Sequence, residues 1–249
     1  MAIIDMFRQD PGNKAYRAHV KANRLNDSGK IKEAEEQYKK AMELYKIAEN
    51  KGFDTPKIVT GFCILLMRVG EYEKAKAILT QLTESGATST DDNYLLQIDC
   101  AVCDWKMGRI DEAMEMLELL GNSRKVGIYY NVLGAMHVEK AMKTGDISAA
   151  AEFMKVALDY DDDDISAIDN MAWLLYISGK QEDAIKYFKK AVDKNARYAP
   201  ALTGLAAICF DKGNITKAKD FIDRALAVHF PTTSPVTRKY AEDLKVKIG

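Results

Sequence analysis

Two cysteines separated by two residues are the first pattern in this sequence that could do chemistry, because such pairs bind zinc or carry redox reactions. The pair is Cys100 and Cys103. A structural zinc site needs a second pair of ligands at a matching spacing, and the sequence contains none. The pair also falls inside a predicted helix, where Cys100, like Cys63 and Cys209, occupies a position that favours a small apolar group. The four cysteines therefore predict buried structural thiols in a reducing compartment.

A run of acidic residues at 159–164 is the second candidate, because carboxylates are the usual ligands of calcium. The run lacks the glycine and the terminal glutamate of an EF-hand loop, and it lies between two amphipathic segments, so we predict a solvated helix cap. His19, His137 and His229 stand apart, and the sequence contains no phosphate-binding loop or hydrolase motif. We therefore predict a chain with no catalytic residues, no metal and no cofactor.

Glycines that recur at intervals of 34 to 41 residues dominate the sequence instead. Six of them are each followed by an alanine five residues later and by a large apolar residue nine residues later. The glycines are Gly29, Gly70, Gly108, Gly145, Gly179 and Gly213, the alanines are Ala34, Ala75, Ala113, Ala150, Ala184 and Ala218, and the large residues are Tyr38, Leu79, Leu117, Met154, Phe188 and Ile222. A period in this range is typical of a solenoid whose unit is one supersecondary element.

Each unit predicts two helices joined by a tight turn. In the fifth unit, Ile165, Ile168 and Leu175 fall on one helical face. Gly179 then ends the pattern, because glycine accepts the left-handed conformation that commonly terminates a helix. A second apolar stripe that includes Phe188 follows the turn. Neither helix could bury its stripe alone, so we expect the two to pack against each other.

This pattern resembles the tetratricopeptide repeat (TPR) family, whose repeat reads W-x2-L-G-x2-Y, then A-x3-F, then P. Leu133 and Gly134 match the first half of the motif, and Ala184 with Phe188 match the second. No unit has the tryptophan or the closing proline at the family positions, and Asp104 stands where an apolar residue is usual. The resemblance covers nearly the whole chain and is to the bacterial type of stand-alone TPR protein. It implies an all-α fold, an α-solenoid of about six TPR-like helix-turn-helix repeats with a C-terminal capping helix.

The expected organisation has three parts. Residues 1–13 form an N-terminal apolar segment, which either caps the first repeat or docks on a partner or a neighbouring copy. The repeats occupy approximately residues 14–53, 54–88, 91–122, 125–162, 163–196 and 197–230. Residues 231–249 form the capping helix, which we expect Ser234 and Pro235 to begin. Its apolar stripe consists of Val236, Tyr240, Leu244 and Ile248.

Composition and charge narrow the class of protein. Charged residues make up 29% of the 249 residues with a formal net charge of -1, which argues against a nucleic-acid partner and against general attraction to anionic membranes. No apolar run approaches the ~20 residues that span a bilayer. Residues 1–8 lack the basic segment and long apolar core of a secretory signal. We therefore expect a cytoplasmic protein.

The resemblance also implies a concave groove lined by the first helix of each repeat. The peptide-contacting positions carried over from the family lie 13, 10, 6 and 3 residues before the turn glycine of each repeat, except in repeat four, which is aligned on Leu133 and Gly134 instead. The central and C-terminal part of that wall is apolar and aromatic, and aromatic side chains dominate binding hot spots. The alternative for each aromatic residue is packing between repeats. Our peptide-binding candidates are Asn23, Met67, Trp105, Asn131, Trp173, Tyr176 and Phe210.

The groove positions also indicate which ligand to expect. Family members that clamp the carboxylate of a chaperone tail use lysine, asparagine and arginine, whereas this chain has His19 and Asn23, then Gly61, then Leu95 and Asp99 at those places. An apolar extended peptide or amphipathic helix is therefore favoured. We predict a non-catalytic protein-protein interaction module or scaffold with a protein or peptide partner. The alternatives are a scaffold that forms homo-oligomers through its terminal segments, and an enzyme or ligand-sensing regulator built on the repeats.

Overall fold

The structure of the chain is a computed structural model, and it describes residues 10–52 and 55–249. Within those residues all regular secondary structure is α-helical, as predicted, and none of the helices is both long and apolar enough to cross a bilayer. The chain divides into two compact units, Met1–Arg109 and Ile110–Gly249. The first contains α1 (Pro11–Asp27), α2 (Ile31–Glu49), α3 (Pro56–Arg68), α4 (Tyr72–Glu84) and α5 (Thr90–Lys106). The second contains α6 (Ile110–Gly121), α7 (Gly127–Thr144), α8 (Ser148–Tyr160), α9 (Ile165–Ile177), α10 (Gln181–Lys194), α11 (Ala199–Asp211), α12 (Ile215–Leu226) and α13 (Arg238–Ile248).

The N-terminal unit is built from two helical hairpins and a further helix in series. Helix α1 packs against α2, α3 against α4, and α4 against α5, while α3 also contacts both helices of the first hairpin. Tyr45 and Phe62 are fully buried where the two hairpins meet, with ring centroids 5.6 Å apart. Burial of such large side chains is the main stabilising contribution in a repeat protein, because each hairpin contacts only its neighbours.

The C-terminal unit repeats the same arrangement three times. Hairpins α7/α8, α9/α10 and α11/α12 follow one another, and the first helices of successive hairpins are in contact. Met154, Trp173 and Phe188 are completely buried among them. Helix α13 packs on both helices of the last hairpin, as expected for a capping helix.

Five of the recurring glycines occupy the turns of these hairpins, and the sixth, Gly108, follows the end of α5. All six have φ between +72° and +90°, the left-handed region that L side chains rarely adopt. The alanine five residues after each glycine is at most 2% exposed, and the large residue nine positions after it is at most 8% exposed. The columns read from the sequence are therefore the close-packing positions of each hairpin.

The first helix begins earlier than the repeat boundary at residue 14 suggested. Pro11 occupies the first turn of α1, where its missing N–H costs nothing. The Asp10 carboxylate accepts a hydrogen bond from the backbone N–H of Asn13 at 2.8 Å, so it caps the helix. Asp10 and Pro11 therefore begin α1, although the sequence assigned them to the N-terminal segment of residues 1–13. The rest of that segment, residues 1–9, lies outside the described residues.

The last helix, in contrast, begins later than predicted. The Ser234 hydroxyl accepts a hydrogen bond from the backbone N–H of Val236 at 3.1 Å, which forms a buried turn instead of a helix cap. Thr237 is the N-cap, and its hydroxyl accepts from the backbone N–H of Tyr240 at 3.3 Å. Val236 is thus buried outside the helix. The buried stripe of α13 is Ala241, Leu244 and Ile248, so this surface is already used within the C-terminal unit.

Two acidic features find structural roles. Asp104, at a position that is usually apolar, accepts hydrogen bonds from Lys76 Nζ at 2.7 Å and from Arg109 Nη2 at 2.6 Å, and so ties α5 to α4 and to its own turn. In the acidic run, the Asp164 carboxylate accepts from the backbone N–H groups of Ser166 and Ala167 at 2.7 and 3.0 Å. The prediction that this run caps a helix is confirmed for α9.

Candidate functional site

An open groove of about 530 Å³ lies in the N-terminal unit. Its lining side chains come from α1 and α3, the first helices of the two hairpins, and from α5, the helix that follows them. The lining residues are Tyr16, His19, Val20 and Asn23 from α1, Pro56, Lys57, Thr60, Gly61 and Ile64 from α3, and Thr88, Asp92, Leu95, Leu96 and Asp99 from α5 and the loop before it. Those that lie 13, 10 or 6 residues before a turn glycine are Tyr16, His19, Asn23, Lys57, Thr60, Ile64 and Leu95.

The candidates three residues before the turn glycines do not line this groove. Met67 is 6% exposed and Trp105 is 2% exposed, because the last turn of each helix packs into the interior. The Lys106 ammonium lies 3.3 Å from the centroid of the Trp105 ring and covers it. Of the candidates in this unit, Asn23 alone lines the groove. Met67 and Trp105 support the groove from within the core.

The floor of the groove is formed where α3 approaches α2. A Cβ atom added to Gly61 would lie 2.4 Å from the Tyr45 hydroxyl, so glycine is required for this approach. The same hydroxyl lies 3.4 Å from His19 Nδ1. Burial, and then the nearby Arg68 charge, lower the pKa of His19 to about 4. His19 is therefore a neutral group at physiological pH and brings no positive charge to the groove.

Exposed aliphatic side chains form the central surface of the groove. Ile64 on α3 is 46% exposed and Leu95 on α5 is 44% exposed. Large apolar side chains that remain exposed inside a concave surface are typical of a binding site. They can contribute affinity to a ligand that brings apolar side chains of its own.

Polar groups of fixed position border this apolar surface. Tyr38 donates a hydrogen bond from its hydroxyl to Asn23 Oδ1 at 2.7 Å, and the Arg68 guanidinium lies 3.9 Å from the Tyr38 ring centroid. The Asn23 amide is thereby held with its N–H groups as donors. On the opposite wall, burial raises the pKa of Asp99 to about 6. An asparagine amide can pair with a peptide backbone, and a partly buried carboxylate can pair with a cation.

The aromatic candidates of the C-terminal unit are mostly packed together. Trp173 is completely buried, and its ring makes edge-to-face contacts with Tyr176, Phe188 and Tyr240 at centroid distances of 5.7, 5.2 and 5.6 Å. Helix α13 thus covers the indole. Side chains this buried have no surface for a ligand. Trp173, like Trp105, therefore packs within the protein and does not line a groove.

The remaining candidates keep part of their surface. Tyr176 is partly buried and donates its hydroxyl to Asp211 Oδ2 at 2.8 Å. Asn131 and Phe210 are also partly buried, and the Asn131 carbonyl accepts from the Asn170 side chain at 3.1 Å. Peptide contact by these three residues stays a prediction.

The acidic side of the groove was missed by reasoning from the sequence. Asp92, Leu95 and Asp99 lie three and four residues apart, which places them on one face of α5. This spacing is visible in the sequence. In the sequence Asp99 stands out only as a mismatch to a carboxylate clamp, although a carboxylate at that place favours a cationic ligand.

The cysteines are free thiols in the core of the protein, as predicted. Cys63, Cys100 and Cys103 are buried, and Cys209 is partly buried. Burial raises the pKa of Cys100 to about 11 and that of Cys103 to about 12, so these thiols are poor nucleophiles and poor metal ligands. Among the described residues, no group of histidine, cysteine and acidic side chains is arranged to hold a metal ion.

Comparisons with known proteins agree with this architecture. Two family models described as tetratricopeptide repeat match residues 15–53 and 175–232. A TPR repeat-containing protein of Methanocaldococcus jannaschii is 31% identical over 94 residues, which cover 35% of this chain and 17% of the relative. The CTR9 homolog of Arabidopsis thaliana is 25% identical over 169 residues, which cover 68% of this chain and 14% of the relative. The chain therefore spans less than a fifth of the length of either relative.

One solved structure extends the likeness to nearly the full chain. The crystal structure of a tetratricopeptide repeat protein from Parabacteroides merdae aligns over 95% of this chain and 86% of that chain, with a TM-score of 0.54 and 16% identity. At this identity the likeness supports the fold.

Proposed function

Because this chain belongs to the tetratricopeptide repeat family, we propose that it is a non-catalytic protein-binding module. It holds an apolar segment of a partner, either an extended peptide or an amphipathic helix, in the groove formed by α1, α3 and α5. One observation carries this proposal: Ile64 and Leu95 remain exposed inside a groove, whereas Trp105 and Trp173 are buried.

The groove suits a segment of polypeptide better than a small molecule or an acidic tail. It runs across three helices, with an aliphatic centre and the fixed Asn23 amide at one side. An amide at that place can pair with a backbone carbonyl, while alternate side chains of the ligand cover Ile64 and Leu95. The neutral His19 leaves the groove without the cationic cluster that recognises a terminal carboxylate.

A matched pair of substitutions tests the proposal. Ile64→Glu places a charge in the groove, whereas Ile47→Glu places the same charge on α2 at a residue of the same type that is 47% exposed and does not line the groove. Proteins captured from native cells by the parent chain are identified, and their affinities for both variants are measured. We expect Ile64→Glu to abolish capture and Ile47→Glu to preserve it, with unchanged helical content in both. Equal capture by the two variants would refute the groove as the binding site.

A further inference from the structure

The two sides of the groove differ in charge. Helix α5 presents Asp92 and Asp99, with Leu95 between them, so its face is acidic, apolar and acidic along one line. Asp92 contacts Ser89 of its own helix cap, which donates its hydroxyl at 2.6 Å. Across residues 10–52 and 55–249 the structure shows no salt bridge to Asp92 or Asp99. Within the described part of the chain, no salt bridge therefore neutralises the charge of this wall.

The facing walls do not supply the missing cation. Lys57 is the basic residue that lines the groove, and its ammonium lies 4.6 Å from the Tyr16 ring centroid on the far side. The ring stabilises that cation, and no carboxylate of the described residues forms a salt bridge with it. His19 is neutral, as shown above. The groove thus combines aliphatic surface with one acidic edge.

We propose that the segment bound in this groove carries a lysine or arginine, whose cationic group lies beside Asp99 while neighbouring apolar side chains cover Ile64 and Leu95. This inference rests on the proposed function and names the chemistry of the partner. Lysine and arginine suit such a place because their aliphatic stems cover apolar surface while the charged ends reach a carboxylate. A partly desolvated carboxylate gains more from a charge-assisted hydrogen bond than an exposed one does.

Selection from a display library of random peptides tests the inference. The library is selected in parallel against the full chain, against Asp99→Asn, and against Glu84→Gln. The last variant removes the same charge from an exposed residue on α4 that does not line the groove. We expect peptides enriched in lysine or arginine next to apolar residues on the parent chain and on Glu84→Gln. We expect the basic residue to lose its enrichment on Asp99→Asn.

A synthetic version of the best peptide then measures the interaction between its basic residue and Asp99. Replacing its basic residue by norleucine should weaken binding to the parent chain by about tenfold or more, and binding to Asp99→Asn by about twofold or less. The norleucine peptide tests the parent chain itself, so the measurement stands even where Asp99→Asn folds poorly.

The outcomes separate the two proposals. If the selected peptides lack a basic residue but do not bind Ile64→Glu, the proposed cation beside Asp99 is refuted and the groove remains the binding site. If the peptides bind the parent chain and Ile64→Glu equally well, or if no peptide is selected, both proposals are refuted. Self-association of the parent chain that Ile64→Glu abolishes would assign the groove to a second copy and overturn the proposed partner.

Discussion

Asp169 provides the sharpest test of the energetics of this fold. It lies on α9, is 1% exposed, and receives no hydrogen bond at either carboxylate oxygen from any described residue. Burial raises its pKa well above the ordinary value, because a charged carboxylate without a partner is costly in a low-dielectric interior. The perturbation is Asp169→Asn, which keeps the shape of the side chain and removes its titration.

The sign and size of the effect follow from proton linkage. In the unfolded chain Asp169 loses its proton near pH 4, whereas the folded chain keeps that proton to higher pH. The folded state therefore binds more protons above pH 4, and the free energy of unfolding decreases as pH rises. The decrease is about 1.4 kcal/mol per pH unit until the folded-state pKa is reached. The asparagine variant lacks this contribution, so its advantage over the parent should increase from pH 4 upward.

The assay uses the fluorescence of Trp173, one helical turn from Asp169 and completely buried. The chain has two tryptophans, so a Trp105→Phe background leaves Trp173 as the reporter of the C-terminal unit. Urea denaturation is followed at half-unit steps from pH 4 to pH 8 in that background, with and without Asp169→Asn. Asp159→Asn, at an exposed residue of α8, controls for the change in net charge.

The difference between the two stability curves is the decisive quantity. It should be smallest near pH 4 and should increase in favour of Asp169→Asn above it. A constant difference across the pH range would show that Asp169 carries no buried proton. A variant that is less stable at every pH would show that the carboxylate has a partner that the amide cannot replace.

Three further predictions follow from packing and pairing. In Gly204→Ala the new Cβ would lie 2.1 Å from Phe188 Cζ, so we expect a loss of about 1–3 kcal/mol in urea denaturation, partly recovered by Phe188→Leu. An increase in the free energy of unfolding, as the helix preference of alanine alone would give, would contradict this prediction. Asp104→Ala removes the anion between two partly exposed cations and should cost about 1–3 kcal/mol, which an unchanged melting temperature would refute. Tyr240→Ala removes the ring that covers Trp173, so the emission of Trp173 should shift to the red and its quenching by acrylamide should increase. Unchanged quenching would show that Tyr240 does not shield Trp173 from solvent.

The hairpins could be predicted from the sequence because their rules are local. A glycine with positive φ ends a helix within a few residues, and an alanine five residues later marks the closest approach of the two helices. Helix α1 ends at Asp27 and α2 begins at Ile31, on either side of the predicted turn glycine Gly29, for this reason. The start of α13 is harder to predict, because Ser234 and Thr237 are both suitable capping residues, and the tertiary structure uses the Ser234 hydroxyl in a buried turn instead.

The sequence by itself determined the helices, their turns and the positions that face the interior of each hairpin, and it determined that the wall of α5 is both acidic and apolar. Only the tertiary structure decided which groove side chains meet solvent. Trp173 and Ile64 occupy equivalent places in their repeats, six residues before the turn glycine. Trp173 is buried because Tyr240, from the distant helix α13, packs against it. Ile64 remains exposed because it faces the open groove. Exposure depends on such distant contacts, which no local pattern encodes.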